Sequence, residues 1–284
     1  MPPASGDGEP GLHAEYRCGE HDEVSGVLVM RAEQMEVFRR AALGLFEDQM
    51  VRHLAEFSPP LFQAVGEGQL RKVGRLGMER AASYGFTCRG PVRLYLELML
   101  LFGSHFDTDP QYPWAAEILA DRDPNHQMDR AESLYRRSLD YREKVAGPKD
   151  AYTLEALRNI AVLAKQPLTL PIEDFPAAMQ REIALVYPEK VAYIGNQGIS
   201  ALIRKGMDGA RMQRFSTPRG MALVTFLMFA MGHGCGSDPL YPWIAQTLKD
   251  KAVTDADARV KRLETKALTW LGHALANFDK AVQA

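Results

Sequence analysis

A twelve-residue stretch occurs twice in this chain. Residues 103–114 read GSHFDTDPQYPW and residues 232–243 read GHGCGSDPLYPW. Asp-Pro and Tyr-Pro-Trp keep their places in both, at one constant offset in the numbering (238 − 109 = 129 and 243 − 114 = 129). At the same offset Arg75 meets Arg204, Gly77-Met78-Glu79 meets Gly206-Met207-Asp208, and Phe86 meets Phe215. Further on, Leu134 meets Leu263, Leu139 meets Leu268, and Tyr141 meets Trp270. Self-similarity at a fixed period constrains a fold before any local signal does. It predicts two similar multi-helix units in tandem: 28–147, and 148–284 with a bridging helix at its start. Upstream of Gly66 two alignments compete. One keeps the offset and sets Phe46 on Phe175. The other, preferred here, sets Leu45-Phe46 on Val186-Tyr187 and so puts Phe38 on Met179 and Ala42 on Ile183, both at helical spacing.

The local patterns predict an all-α fold. Met35, Phe38, Ala42, Leu45, Phe46, Met50, Leu54 and Phe57 recur at steps of mostly three and four. They make an apolar stripe on a helix over 32–57 that Ser58-Pro59-Pro60 ends. A helix over 67–84 should close at Gly85 and carry Gly74 and Gly77 where another backbone can approach. Thr87 is the expected cap of a central helix whose body is VRLYLELMLLF, with Pro91 in its first turn. A short helix opens at Tyr112-Pro113-Trp114. Another follows Asp123-Pro124, with Met128, Ala131, Leu134, Tyr135, Ser138 and Tyr141 facing inward. Ala146 to Asp150 is the linker. The second unit repeats the plan over 152–165, 174–186, 189–214, 218–231, 241–249 and 255–282, with Ser216 or Thr217 as the cap before Pro218. Hairpin dipeptides and sustained alternation are missing.

Composition narrows the class of function. The 284 residues carry a formal net charge of −2 with both signs mixed, which disfavours a nucleic-acid face or a polybasic membrane anchor. Cys18, Cys88 and Cys235 form no CxxC pair and read as reduced thiols in a cytoplasmic protein. Residues 1–27, rich in Gly, Pro, Asp and Glu, read as a mobile tail that Tyr16 and Cys18 could dock, without a secretory signal. No apolar run is long enough to span a bilayer.

Several residues invite a chemical reading, and each has a structural rival. His105, Asp107 and Asp109 form an imidazole and two carboxylates, a possible metal set. The second copy holds Gly234 and Gly236 in place of the first two. Asp109-Pro110 and Asp238-Pro239 therefore read as structural turns in which the carboxylate takes nearby amides. His233 and Cys235 place a thiol near an imidazole, but neither is mirrored, so a glycine loop with a buried thiol is the better reading. Tyr112, Trp114, Tyr241 and Trp243 are either core plugs or a paired aromatic surface for a partner. Arg75 and Arg204 bind either an acidic partner group or an acidic residue of their own unit. Phosphate loops, GxSxG elbows and HExxH helices do not occur.

Met30-Arg31-Ala32-Glu33-Gln34-Met35, then Gly77 with Glu79-Arg80-Ala81 and Tyr84-Gly85, then Phe102-Gly103 with Phe106-Asp107-Thr108-Asp109-Pro110 and Pro113-Trp114-Ala115 carry a resemblance. Over about 30–147 the chain resembles small helical proteins, mostly of unknown function, encoded near type VI secretion spike and effector genes in Gram-negative bacteria. The second unit keeps Gly206, Asp238-Pro239 and Pro242-Trp243 but lacks Phe106 and Asp107. The resemblance implies a cytoplasmic, non-enzymatic accessory protein that binds another protein, as an effector adaptor or chaperone or as an immunity protein. It implies no cofactor, metal or catalytic residue, and no nucleic-acid or membrane partner. The expected partner site is a groove where the two units meet. The alternative is a helical enzyme or metal-binding protein using the His105/Asp107/Asp109 and His233/Cys235 loops.

Overall fold

The structure, a computed structural model, describes residues 32–166 and 170–283. The expected tail, with Tyr16 and Cys18, lies outside these residues, as does Pro167. The chain divides after Ala42, and every candidate site residue lies in the larger body, Leu43–Ala284. Twelve α-helices and no strand occur among the described residues. No helix among them is long and apolar enough to cross a membrane.

Helix α1 spans Ala32–Phe57, and Met50, Val51 and Leu54 are its buried residues from Leu43 onward. Leu45, placed on the apolar stripe by periodicity, is exposed instead, because the core lies on the side that Met50 and Leu54 face. A short helix that the prolines concealed follows, α2 at Pro59–Val65. Proline in a first turn costs a helix little, so Ser58-Pro59-Pro60 breaks the chain and restarts it. Then come α3 (Glu67–Ser83), α4 (Arg89–Phe102), α5 (Pro113–Ile118) and α6 (Gln127–Tyr141). Helix α7 (Ala151–Leu163) leads to α8 (Phe175–Val186), α9 (Pro188–Met212), α10 (Pro218–Met231), α11 (Pro242–Leu248) and α12 (Ala256–Gln283).

Matching backbone features recur at the offset of the repeated motif. Helix α4 begins at Arg89 and ends at Phe102, and their counterparts Pro218 and Met231 begin and end α10. The break at Ser58 (φ −139°, ψ 76°) corresponds to Tyr187 (φ −146°, ψ 74°). Gly66 (φ 79°, ψ 162°) corresponds to Gly195 (φ 75°, ψ 165°), which kinks α9 where the sequence predicted an unbroken helix. These breaks favour the uninterrupted offset upstream of Gly66. The preferred alignment of Leu45-Phe46 on Val186-Tyr187 is therefore replaced by Phe46 on Phe175. It went astray because helical spacing alone cannot fix a register.

The packing follows the same offset. Helix α3 packs on α4, and α9 on α10. Leu54 and Ile183, Leu70 and Ile199, Val73 and Leu202, and Leu134 and Leu263 are all buried. Each such side chain contributes about 1.5–3 kcal/mol by leaving water. Gly77 lies against Leu96 and Met99, and Gly206 against Thr225, the counterpart of Leu96. Gly74 meets nothing, so the close approach expected there belongs to Gly77 alone.

The caps differ. Thr217 caps α10 by accepting the Gly220 amide at 3.2 Å. Thr87 does not cap α4. The Thr87 and Cys88 amides instead donate to Gln127 Oε1 at 2.9 and 2.8 Å. At Gly147–Asp150 the chain turns locally through left-handed Lys149 and Asp150 (φ 52° and 58°).

Candidate functional site at the paired aspartate loops

Helices α4 and α10 both end on a glycine with positive φ, Gly103 at 92° and Gly232 at 89°. A side chain at Gly103 would meet the Met231 carbonyl, and one at Gly232 the Phe102 carbonyl. So the two loops that carry the repeated motif meet backbone to backbone.

The aspartates lock this meeting. Asp109 Oδ1 accepts the Gln111 amide of its own turn at 2.9 Å, while Oδ2 accepts the His233 amide of the opposite loop at 2.6 Å. Asp238 does the converse. Its Oδ1 accepts the Leu240 amide at 2.9 Å, and its Oδ2 accepts the Ser104 amide at 2.7 Å. The Ser104 hydroxyl donates to Asp238 Oδ1 at 2.6 Å. Ser104 and His233 are themselves counterparts in the two copies. Both carboxylates are 2% exposed, and hydrogen bonds to an ionised acceptor are the strong kind. The expected turn role of the Asp-Pro pairs is present, but the crossing between loops was not legible in the sequence.

The possible metal set does not converge. Asp107 is held by a short contact to the Arg80 guanidinium and by the Tyr95 hydroxyl at 2.8 Å. Asp109 is engaged as above. The His105 ring meets the His233 ring edge-on at 6.1 Å, and burial lowers the His105 pKa, with the Arg80 charge adding to it. Among the described residues, no group of three or more His, Cys, Asp or Glu is arranged to hold a metal ion. His233 Nδ1 lies 3.2 Å from Asp109 Oδ2. Cys235 is buried, and burial together with the Asp238 and Asp109 charges pushes its thiol up to about 12. A nucleophilic thiol needs the opposite shift.

The aromatic candidates divide. Tyr112 and Trp114 are buried, as the core-plug reading expects, with Trp114 at the edge of an open cleft. They belong to a ring cluster in which Phe102 meets Tyr112 (4.8 Å) and Tyr141 (5.1 Å), and Tyr141 meets Tyr193 of α9 (5.2 Å). Tyr241 and Trp243 are partly buried against the core. The indole Nε1 atoms of Trp114 and Trp243 are both buried without a hydrogen-bond partner. Arg75 donates through Nε to both Glu47 oxygens at 3.0 and 3.1 Å and, with Arg71, holds that carboxyl below its ordinary range. Arg204 is exposed, and the position matching Glu47 is Pro176.

Two sets of residues escaped the sequence reading. Arg130 donates to the carbonyls of Tyr84 (2.6 Å), Asp121 (2.6 Å) and Asp123 (3.0 Å) and lies 4.7 Å from the Phe86 ring centre. Its counterpart Arg259 donates to the Gln213 carbonyl at 3.2 Å and sits over Phe215. The shared offset was the available signal. Lys190 gave no signal. Placed in the first turn of α9, it is buried, donates to the Phe229 carbonyl at 2.5 Å, and is pulled down to about 8 by burial.

The sites of apolar contact lie elsewhere. Helices α7, α10 and α12 enclose a cleft of about 120 Å³ lined by Leu157, Ile160, Leu223, Phe226, Leu268 and Trp270. At the predicted junction groove, Trp114, Arg137, Asp140 and Lys144 face Glu189 and Tyr193 across an open, charged cleft. Helix α6 turns Met128 and Tyr135 outward, not inward as predicted, and with them Leu139. The core covers only the face that carries Ala131, Leu134 and Tyr141. Comparison of the chain with family models, with curated proteins and with solved structures found no match.

Proposed function

We propose that this chain is a non-enzymatic, cytoplasmic protein-binding protein made of two copies of one helical unit. The observation that carries the reading is how the polar residues are used. Asp107, Asp109, Asp238 and Cys235 are spent on internal contacts, while Phe57, Leu101, Tyr135 and Leu139 stand exposed. Tyr135 and Leu139, four residues apart, share one face of α6, and exposed apolar groups that share a face mark interaction surfaces. The duplication is supported by the common offset of helix ends, breaks and crossed aspartate bonds. The resemblance of residues 30–147 to proteins encoded beside type VI secretion genes supports a secretion effector, toxin or spike component as the partner. The chain would act as adaptor and chaperone or as immunity protein.

The test is cross-linked co-purification of the tagged chain from its native host, with mass spectrometry of the product. A stoichiometric toxin domain would assign the immunity role. A spike protein or the transport end of an effector would assign the adaptor role. A chain recovered without any stoichiometric protein would overturn the reading.

A further inference from the structure

Helix α7 packs on α12 and α8 rather than along α10, and between it and α10 lies the apolar cleft of about 120 Å³. The α10 wall of that cleft is one stripe, and from Arg219 to Ala230 it runs about 16 Å at the helical rise. The cleft is therefore a trough. Ala164, Ala222, Ala230 and Ala267 line it. Protein interiors are close-packed, so a surface that served only to seat α7 would carry side chains large enough to fill this gap.

The repeat supplies a comparison. Ala222 and Phe226 match Arg93 and Glu97, which pair with each other at 3.1 Å on the first copy. Ala230 matches Leu101, and Leu271 matches Arg142. The shared helices do not by themselves require this lining. It is small and apolar in the second copy alone.

Charge sits at one end of the trough. Arg219 donates to Glu264 through Nη2 at 2.7 Å and through Nε at 3.3 Å. Their counterparts are Gly90 and Tyr135, so the pair too belongs to the second copy. Among the described residues these are the only charged groups on the wall. The pair is neutral as a whole. An anionic head group would be repelled by Glu264 and a cationic one by Arg219. A hydroxyl can accept from Arg219 Nη1, which Glu264 does not use, and donate to the Glu264 carboxylate.

We infer that the trough binds a free single-chain amphiphile, with one alkyl chain along α10 and a neutral oxygen head at the Arg219–Glu264 pair. Burial of the chain supplies the affinity, and an apolar void takes an apolar molecule in preference to water. The inference goes beyond the protein-binding reading and does not depend on it, since Tyr135 and Leu139 lie outside the trough.

The probes are 1-hexanol, 1-octanol and 1-decanol, titrated into the full chain by calorimetry. Saturable binding is expected, tightening by about fourfold per added methylene. Sodium octanoate and octylamine should bind about tenfold more weakly than 1-octanol, because each brings a charge into the trough. Glu264→Gln leaves the guanidinium without its carboxylate and should reverse that order, with octanoate then tighter than 1-octanol. The double variant Ala230→Leu, Ala267→Met fills the trough and should weaken 1-octanol by about tenfold or more. Ala230 is exposed and Ala267 half-buried, so this variant should keep its thermal midpoint. If the midpoint falls, the reversal in Glu264→Gln decides alone. Absence of saturable binding, unchanged affinity in a stable filled variant, or an unchanged order of head groups in Glu264→Gln would overturn the inference. Sedimentation of the chain with vesicles of neutral phosphatidylcholine would assign the trough to a bilayer lipid and overturn the free ligand equally.

Discussion

Arg80, Tyr95 and Asp107 meet as a buried set in the first half, and Tyr84 borders it. The matching positions of the second copy hold Gly209, Val224, Gly236 and Gln213, so the whole set is absent there. A buried ion pair is costly to break and cheap to replace in full. Asp107→Asn is therefore expected to cost about 3 kcal/mol, at the low end for buried pairs because Arg80 retains some water contact. The triple variant Arg80→Gly, Tyr95→Val, Asp107→Gly should cost less than its three single changes added together. Urea midpoints at constant slope decide the matter. Backbone strain offers a second comparison at this scale. Gly85 (φ 74°) and Arg214 (φ 62°) share a left-handed conformation, but only one is glycine. Arg214→Gly should stabilise the chain by about 1 kcal/mol. Gly85→Ala should destabilise it by more, since the new Cβ would also strike the Arg122 carbonyl. Lys190 gives a pH signature. Its folded pKa, about 8, lies below the free lysine value. Between about pH 8 and 10 the unfolded chain holds a proton that the folded chain does not, so stability rises with pH across that window. Below it both states are protonated, and the folded chain carries a penalty of about 3 kcal/mol. Above it the buried tyrosines, raised by burial, reverse the slope. Lys190→Met should lose this rise, leaving only the decline that the buried Cys235 thiol and tyrosines impose from about pH 9 upward, and should be more stable at pH 7 in denaturant titrations.

At the scale of elements, sequence and structure agree where one strong local signal acts alone. The end of α1 and both limits of α10 were readable from an apolar period bounded by proline or glycine. Helix α2 was hidden because Pro59-Pro60 both stops one helix and opens another. The kink at Gly195 was hidden because a lone glycine within a helical pattern carries no direction. The amides just before α4 are held by Gln127, far along the chain from Cys88, and no local rule reaches that distance. The outward turn of Tyr135 and Leu139 was equally unreadable, since a period identifies an apolar face without saying what covers it. The aspartate turns were legible as turns, because Asp-Pro has a local preference. Their crossing was not, because it depends on where two loops meet in space. Gly103→Ala and Gly232→Ala test that meeting. Each forces a side chain onto positive φ and onto the opposing carbonyl, and each should lower the thermal midpoint well beyond a surface alanine, by about 1–3 kcal/mol in stability.

For the body as a whole, the halves are joined by more than the segment at Gly147–Asp150. The crossed aspartates, the ring contact of Tyr141 with Tyr193, and the Tyr187 hydroxyl donating to the Val145 carbonyl at 2.8 Å all span the join. A protease site inserted beside exposed Lys149 should yield two fragments that still co-elute after cleavage; separate elution would refute the interlock. Asp109 and Asp238 each complete the loop of the opposite copy. In a chain with a single copy, the same bonds form only between two molecules, each residue meeting its partner's equivalent about a twofold axis. Carrying both loops on one chain turns an association that would depend on concentration into one that does not.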